Sequence, residues 1–285
     1  MSSDLIFFTC INILMAWGVY IALSAGALTF GASAFMAIGC YAAGVLTVKA
    51  GLPLIPASLI GAVVAGASGF ALGFPALRVR GIYLILTTLG IAMSIQVILE
   101  NIDYVGGTVG FSGMAGATVW HGVIAVVVVG GLLWWVSRSP LQRVLDAVRE
   151  DDEVAAALGM NAVFVKLTAF AIGSGIAGFA GGLYGHYITF VRPDTFNVLI
   201  STYAVMFVIL GGTNNFWGAA LGAAIMTILP EQVEFMREWR PTVFAVTIIL
   251  LLLLRPQGLI ARRFATIRLG SAVPRPAPTA VEEGA

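Results

Sequence analysis

The chain has 285 residues, of which 59% are hydrophobic and only 10% are charged, and its mean hydropathy is +0.98. A soluble domain of this length needs far more polar surface, so the composition excludes a soluble fold and indicates a membrane protein. The net charge is +1 and there is no basic patch, which argues against a nucleic-acid partner.

Apolar stretches of about 20 residues, long enough to cross a bilayer, follow one another from Leu5 to Leu254. Because these stretches are continuous rather than alternating, they predict helices and not a β-barrel. We expect an all-α polytopic membrane protein with about eight to ten membrane helices, some of them broken or re-entrant. The predicted spans are residues 5–24, 27–48, 54–77, 81–99, 119–137, 163–187, 197–212, 216–230 and 241–254.

A single membrane domain is predicted for residues 1–262, with one hydrophilic loop at 138–162. The first residues lack the basic start of a signal peptide and carry Asp4, so we interpret this segment as a retained span. Residues 263–285 are rich in Pro and Ala with few large apolar side chains, which predicts a largely disordered tail.

The basic residues predict the orientation of the chain. If nine spans alternate across the membrane, eleven of the fifteen basic residues fall on one side, which the positive-inside rule makes cytoplasmic. The C-terminus and loop 138–162 are then cytoplasmic and the N-terminus is outside, although one re-entrant early span would reverse the N-terminus. The eleven are Arg78, Arg80, Arg138, Arg143, Arg149, Lys166, Arg255, Arg262, Arg263, Arg268 and Arg275.

The interiors of the spans lack ionisable groups of the Asp, Glu, Lys and Arg types. Such groups within a membrane usually mark ion sites or proton relays, so their absence argues against an autonomous channel or an ion-coupled secondary transporter. That class stays as the alternative. The stretches without these residues are 5–48, 54–77, 81–99, 104–137, 167–191 and 195–230.

The sequence also lacks the parts of an enzyme. A phosphate-binding P-loop needs a Lys after a Gly, and neither of the two lysines, Lys49 and Lys166, follows one. We find no catalytic residues and no metal ligands grouped at a plausible site. The chain is therefore predicted not to be an enzyme, and energy for uphill transport would come from another chain.

Five consecutive charged residues, Arg149 to Glu153, stand in the sequence VREDDEVAAALG at 148–159. Apolar residues around them recur at helical spacing, which predicts one or two short amphipathic helices on the cytoplasmic face. Gly159 is expected to end the helix and Asn161 to cap the next span. Such a helix can dock into a groove of a soluble partner. A solvated loop between two spans is the alternative.

The spacing of Glu153, Ala155 and Gly159 follows E-x-A-x-x-x-G. It resembles the "EAA" loop of ABC importer permeases, whose helix docks on the ATPase, although Val154 replaces the second residue and the Pro-containing end is absent. The resemblance implies that this loop couples the membrane domain to an ATPase. The implied coupling residues are Arg149, Glu150, Asp151, Asp152, Glu153, Ala155, Ala156 and Gly159.

Several blocks are similar to branched-chain amino-acid permeases of ABC importers. FPALRVRGIYLILTTLG at 74–90 matches the family's P-A-L-R-L-R-G-x-Y, which favours the LivM type over its LivH-type partner. GALTFGASAFMAIGCYAAG at 26–44 is similar to G-Q-L-S-L-G-H-A-A-F-x-x-I-G-A-Y. The likeness extends over roughly residues 15–260, and the other blocks lie at 166–185, 208–223 and 254–259.

This resemblance implies a multi-pass subunit in the bacterial inner membrane. Its partners would be a LivH-type permease, two cytoplasmic ATPase subunits, a periplasmic substrate-binding protein and membrane lipid. ATP would be used by the partners, and this chain would bind no cofactor. The sequence departs from the family at Ala27 and Ala32, which replace Gln and His, and at Val109, where Asp is common. The substrate therefore stays open between branched-chain amino acids and urea, amides or aromatic acids, which family relatives also carry.

A zwitterion that crosses the membrane needs polar partners for both of its charges. In spans without ionisable side chains, the candidates are backbone groups at broken helices and hydroxyl groups. The segment Gly26 to Gly31 offers such a break, although a Thr within a helix often only bonds back to its own backbone. The predicted substrate path comprises Gly26, Thr29, Gly31, Ser33, Phe35, Thr87 and Thr88.

Small residues recur at four-residue spacing in two predicted spans. Such spacing lets helix backbones approach closely, so we expect most of these residues to pack helices together. They are Gly61, Ala65, Gly69, Gly73, Gly178 and Gly182.

Overall fold

The computed structural model describes residues 3–79 and 81–232. A two-residue antiparallel pairing joins strands β1 (Phe111–Ser112) and β2 (Phe190–Val191), and the rest of the regular structure in these ranges is helical. The α-helices of this part are α1 (Ser3–Ser24), α2 (Ala32–Val48), α3 (Leu54–Ala76), α4 (Ile82–Glu100), α5 (Val119–Arg138), α6 (Pro140–Glu150), α7 (Asp152–Ala157), α8 (Ala162–Ile188), α9 (Val198–Gly211) and α10 (Phe216–Gln232).

Six helical segments in the described residues are long and apolar enough to cross a membrane. They are α1, α3, α4, α5, α8 and the segment Pro193–Gly211, which contains α9, while α2 and α10 are shorter apolar helices. The prediction of an all-α polytopic membrane protein is confirmed, and the first eight predicted spans agree with these helices within a few residues, except that α2 begins later, at Ala32. The predicted span 241–254, the tail 263–285 and the block at 254–259 lie outside the described residues.

Helix α1 lies at the centre of the bundle, in contact with α5, α8, α9 and α10. Its side chains Phe7, Leu14 and Trp17 are almost completely buried. The indole nitrogen of Trp17 donates a 2.8 Å hydrogen bond to the carbonyl of Phe216, so the ring is buried without leaving its N–H group unpaired. Fewer than a third of the residues of α3, α4 and α5 are buried, and most of the exposed residues are apolar, as lipid-facing helices require.

The small residues of α3 form its buried face against α8 and α2. A methyl group added at Gly61 would lie 2.6 Å from the carbonyl oxygen of Gly39, and one at Gly73 would lie 2.7 Å from the ring of Phe170. A larger residue at Gly61 therefore requires the helices to separate, and one at Gly73 requires the Phe170 ring to move. The prediction that these small residues pack helices together is confirmed.

The connections alternate between two opposite ends of the bundle. At one end, the turn at Gly26 and the turn at Thr213 both contact Arg149 in the hydrophilic loop. At the other end, Lys49 Nζ donates a 2.8 Å hydrogen bond to the carbonyl of Tyr104, and β1 pairs with β2. This alternation agrees with the predicted order of spans. The assignment of the Arg149 end to the cytoplasm stays a prediction from the charge distribution.

Candidate functional site: a docking loop and a broken helix

The hydrophilic loop folds as two short helices, α6 and α7. Ser139 begins α6 by accepting a 3.3 Å hydrogen bond from the Leu141 N–H, and Pro140 occupies the first helical position, where no N–H is needed. Val148 is buried beneath α6, whereas Arg143 is exposed on its other face. The prediction of short amphipathic helices in this segment is confirmed.

Two of the five consecutive charges hold α7 in place. The side chain of Asp151 caps the helix, since its Oδ1 accepts hydrogen bonds from the N–H groups of Glu153 at 2.8 Å and Val154 at 3.1 Å. The carboxylate of Asp152 accepts a 2.6 Å hydrogen bond from Lys166 Nζ, which lies in the second turn of α8. Both carboxylates therefore stabilise the shape of the loop.

A third charge, that of Arg149, is directed into the protein. Its Nη1 donates to the carbonyl oxygen of Thr213 and its Nη2 donates to the hydroxyl oxygen of the same residue, each at 2.9 Å. This two-pronged contact uses the planar fork that distinguishes Arg from Lys. Arg149 thus joins the loop to the turn between α9 and α10, although the resemblance had placed it among the residues that meet an ATPase.

The outward surface of α7 is apolar with acidic residues beside it. Val154 is 56% exposed and Leu158 is 70% exposed, and Ala156 is exposed as well. Glu150 and Glu153 are also exposed, whereas Ala155 is only 1% exposed and faces the rest of the protein. An apolar centre with charges at its rim is a common composition of docking surfaces. We call Glu153, Val154, Ala156 and Leu158 the α7 face.

The end of the loop follows the sequence prediction. Gly159 adopts φ +84°, a left-handed conformation that favours glycine, immediately after α7 ends. Asn161 then caps α8, because its side-chain oxygen accepts a 3.0 Å hydrogen bond from the Phe164 N–H. Both predicted roles are confirmed.

The predicted break between the first two spans is present, and it leads into the protein interior. Residues Ala25 to Gly31 are not helical, and α2 begins at Ala32 with its first turn buried. The backbone N–H of Ser33 donates a 2.8 Å hydrogen bond to the Oγ of Ser201 in α9, whose hydroxyl donates back to the Ser33 Oγ at 2.8 Å. A free N–H at the start of α2 is thereby satisfied without water.

Thr88 in α4 also contacts this break. It is fully buried, and its hydroxyl accepts from the Phe30 N–H at 3.1 Å while donating to the Ile85 carbonyl at 3.0 Å. Thr87 is only partly buried, and its hydroxyl donates to the Tyr83 carbonyl of its own helix. The alternative of a simple bond back to the helix therefore describes Thr87, whereas Thr88 also holds the break.

The structure gathers five of the seven predicted path residues at the start of α2. Thr87 lies apart from them, and Gly26 is exposed at the loop end, next to Arg149. The five residues that lie at this start are Thr29, Gly31, Ser33, Phe35 and Thr88.

This cluster is closed to a substrate within the described chain. The cavity beside Thr29 and Phe35 has a volume of about 10 Å³, room for a single water molecule. A larger cavity of about 410 Å³ lies under α6, between α1, α5 and α8, but its lining is almost wholly apolar and cannot pair the charges of a zwitterion. A path for a polar solute would therefore need a different conformation or a second subunit.

Sequence reasoning missed Ser201 and Thr213. Ser201 lies 168 residues from Ser33, and Thr213 lies 64 residues from Arg149, so no local pattern connects the partners. The available signals were three consecutive hydroxyl residues, Ser201 to Tyr203, in the apolar segment 198–211 and a turn with Gly and Asn at 212–215.

A polytopic bundle of apolar helices, with an ordered and partly apolar loop at one end, is the architecture expected of a membrane permease. The family model described as "Branched-chain amino acid transport system / permease component" matches residues 1–254, and the chain belongs to this family. It is a transport permease subunit and not an enzyme.

Similar proteins are known from several organisms. The chain is 29% identical to the high-affinity branched-chain amino acid transport system permease protein LivM of Salmonella typhimurium, over 95% of this chain and 72% of that protein. It is 30% identical to the LivM protein of Escherichia coli K12, over 90% of this chain and 69% of that one. The LivH protein of Escherichia coli K12 is 27% identical over 51% of this chain and 47% of its own length. No solved structure matches the chain.

Proposed function

We propose that this chain is the LivM-type membrane subunit of an ABC importer in a bacterial inner membrane. It pairs with a LivH-type permease, receives its solute from a periplasmic binding protein, and is driven by two cytoplasmic ATPase subunits. The observation that carries the proposal is the α7 face, which presents exposed Val154 and Leu158 on a loop whose shape is fixed by Asp151 and Asp152. A merely solvated loop has no need of such order.

In this proposal the ATPase subunits bind and hydrolyse ATP, and this chain binds no cofactor. Their closure on nucleotide displaces the α7 face and switches the membrane domain between outward-facing and inward-facing states. The cluster around Ser33 and Thr88 then lies in a closed part of the path. The C-terminus and loop 138–162 are cytoplasmic because basic residues concentrate on that side.

The proposed solute is a branched-chain amino acid. The names of the LivM and LivH relatives support this class. The start of α2 offers hydroxyl and backbone groups but no charged partner, so selectivity would come from the binding protein and from the interface with the second permease. Urea, amides and aromatic acids are the other candidates, because Ala27, Ala32 and Val109 depart from the residues usual in the family.

A crosslinking experiment tests the docking directly. Cys10 and Cys40, both buried, are first replaced, and Ala156→Cys is introduced into the α7 face. The variant is co-expressed with candidate ATPase subunits, and crosslinking in membranes is measured with and without ATP. We expect a crosslink whose yield depends on nucleotide.

The matched control is Val109→Cys, because Val109 is 81% exposed at the opposite end of the bundle. This variant should give no crosslink to an ATPase. If folded protein with Ala156→Cys yields no crosslink, yet transports solute without any partner, the importer proposal is wrong. The autonomous channel or ion-coupled transporter then replaces it.

A further inference from the structure

Three segments that are distant in sequence meet at Arg149. The guanidinium of Arg149 holds both the carbonyl and the hydroxyl of Thr213, in the turn between α9 and α10. On its other side, a methyl group added at Gly26 would lie 3.4 Å from the Arg149 Cα, so the turn after α1 packs directly on the backbone of α6. We call Arg149, Thr213 and Gly26 the Arg149 joint.

The two turns of the joint lead to the two partners of one buried contact. Gly26 is followed by the break that ends at α2, whose first turn contains Ser33. Thr213 follows α9, which contains Ser201. Ser33 and Ser201 hydrogen-bond each other in the protein interior, with both distances at 2.8 Å. A displacement of Arg149 therefore reaches one side of this contact through the non-helical segment Ala25 to Gly31, and the other side through the length of α9.

We propose that Arg149 is the positioning residue that transmits movement of the α7 face to the Ser33–Ser201 contact, by moving the start of α2 and the whole of α9 together. The inference rests on the proposed function, because it takes the α7 face as the surface that the ATPase subunits displace. It assigns Arg149 a role distinct from docking, since its charged group faces Thr213 and the exposed residues of α7 lie elsewhere.

The hydrogen bonds between Arg149 and Thr213 are of a kind that can transmit a movement from α6 to the turn after α9. The Arg fork binds two oxygens of one residue at once, which fixes orientation as well as distance. Its positive charge also lies beside the C-terminal end of α9, where the helix dipole favours a cation. The turn that carries Thr213 is held by hydrogen bonds of its own, from the Gly212 N–H to the Val208 carbonyl at 2.9 Å and from the Trp217 N–H to the Asn215 side-chain oxygen at 3.2 Å, so it differs from an unstructured linker.

The test uses the complete importer reconstituted in liposomes, with radiolabelled leucine as the solute. The measured quantity is the number of leucine molecules moved per ATP hydrolysed. We expect Arg149→Ala to lower this ratio about tenfold, the size of a typical coupling between two sites, while the nucleotide-dependent crosslink at Ala156→Cys persists. Arg149→Lys keeps the charge but not the fork and should fall between Arg149→Ala and the unaltered protein.

Two further variants test whether the effect is specific to the contact between Arg149 and Thr213. Thr213→Val removes one of the two acceptor oxygens with little change of shape, and it should lower the ratio by a smaller factor, about twofold to threefold. Arg143→Ala is the matched control, because it removes the same charge from an exposed position of the same helix and should leave the ratio unchanged. An equal loss in Arg143→Ala would overturn the inference.

A second measurement needs no solute. Spin labels at Leu199 in α9 and Ile124 in α5, which are 57% and 58% exposed, report the position of α9 within the bundle. ATP should change the distance between the labels in the unaltered complex. In Arg149→Ala the change should be lost although the crosslink remains.

The outcomes separate the two proposals. If Ala156→Cys gives no crosslink when Arg149 is intact, the proposed function fails. If the crosslink and the ATP-dependent distance change both survive in Arg149→Ala, with an unaltered ratio, only the joint fails. If Arg149→Ala loses the crosslink as well, Arg149 merely supports the loop and the inference is wrong.

Discussion

The hydrophilic loop at 138–162 and the start of α2 are both interruptions in a helical chain, and they satisfy their backbone in opposite ways. In the loop, charged side chains do so, with Asp151 capping α7 and Arg149 binding the Thr213 carbonyl. At the start of α2, neutral hydroxyls do so, with Thr88 and Ser201 accepting from backbone N–H groups. A charged side chain destabilises the fold little where water is near, whereas an unpaired charge in a buried break loses its hydration and destabilises the fold strongly.

The largest expected effect comes from placing a charge at the buried break. Ser33→Lys puts an ammonium group at a fully buried position, beside the positive end of the α2 dipole and without an acidic partner among the contacts of Ser33. We expect a loss of more than about 3 kcal/mol, which would abolish folded protein in the membrane. Folded yield is measured by size-exclusion chromatography in detergent.

The control for this variant is Ala156→Lys, which introduces the same side chain on the exposed α7 face. Its effect on the free energy of unfolding should stay within about 0.5 kcal/mol. Equal yields of the two lysine variants would contradict the contrast between the loop and the break.

A smaller effect distinguishes two adjacent threonines. Thr88→Val keeps the shape but leaves the partly buried Phe30 N–H without its acceptor, which should cost about 1–3 kcal/mol. Thr87→Val removes only a bond to its own helix at a partly exposed position, and it should cost less than about 0.5 kcal/mol. Thermal unfolding in nanodiscs measures both. A larger shift for Thr87→Val would mean that Thr88 does not hold the break.

The same contrast explains how far the sequence could be interpreted. The helices of the loop were predictable because the hydrogen bonds that cap their ends are local: Asp151 caps α7 two and three residues away, and Asn161 caps α8 three residues away. Spans were predictable because the length of apolar stretches is set by the bilayer. The stripe of small residues on α3 was also visible, since its spacing follows the helix period.

The remaining contacts depend on which helices become neighbours, and the sequence does not determine that locally. Thr88 reaches Phe30 across 58 residues, and Ser33 reaches Ser201 across 168. The uniform apolar character of the spans gives no preferred face, so α4 could not be oriented in advance, and Thr87 and Thr88 were predicted alike. The direction of Arg149 was likewise hidden, because an amphipathic pattern does not tell a charge at the rim of a surface from one that binds a neighbouring turn.

The smallest expected effect compares two ion pairs at opposite ends of the bundle. Asp152 and Lys166 are 2.6 Å apart with side chains 18–23% exposed, whereas Arg192 and Asp194 are 3.0 Å apart and both 53% exposed. A double-mutant cycle to Ala should give a coupling energy near 1 kcal/mol for the first pair and at most a few tenths for the second, because water screens exposed charges.

Raising the ionic strength should reduce the coupling of the exposed pair in a larger proportion, because the partly buried pair is less accessible to counterions. The local effect of losing Asp152–Lys166 should be faster hydrogen exchange in α7 with little change in the unfolding of the bundle, because the pair joins only α7 to the start of α8. If both pairs gave the same coupling and salt response, the order of α7 would have to come from the Asp151 cap and the burial of Ala155 alone.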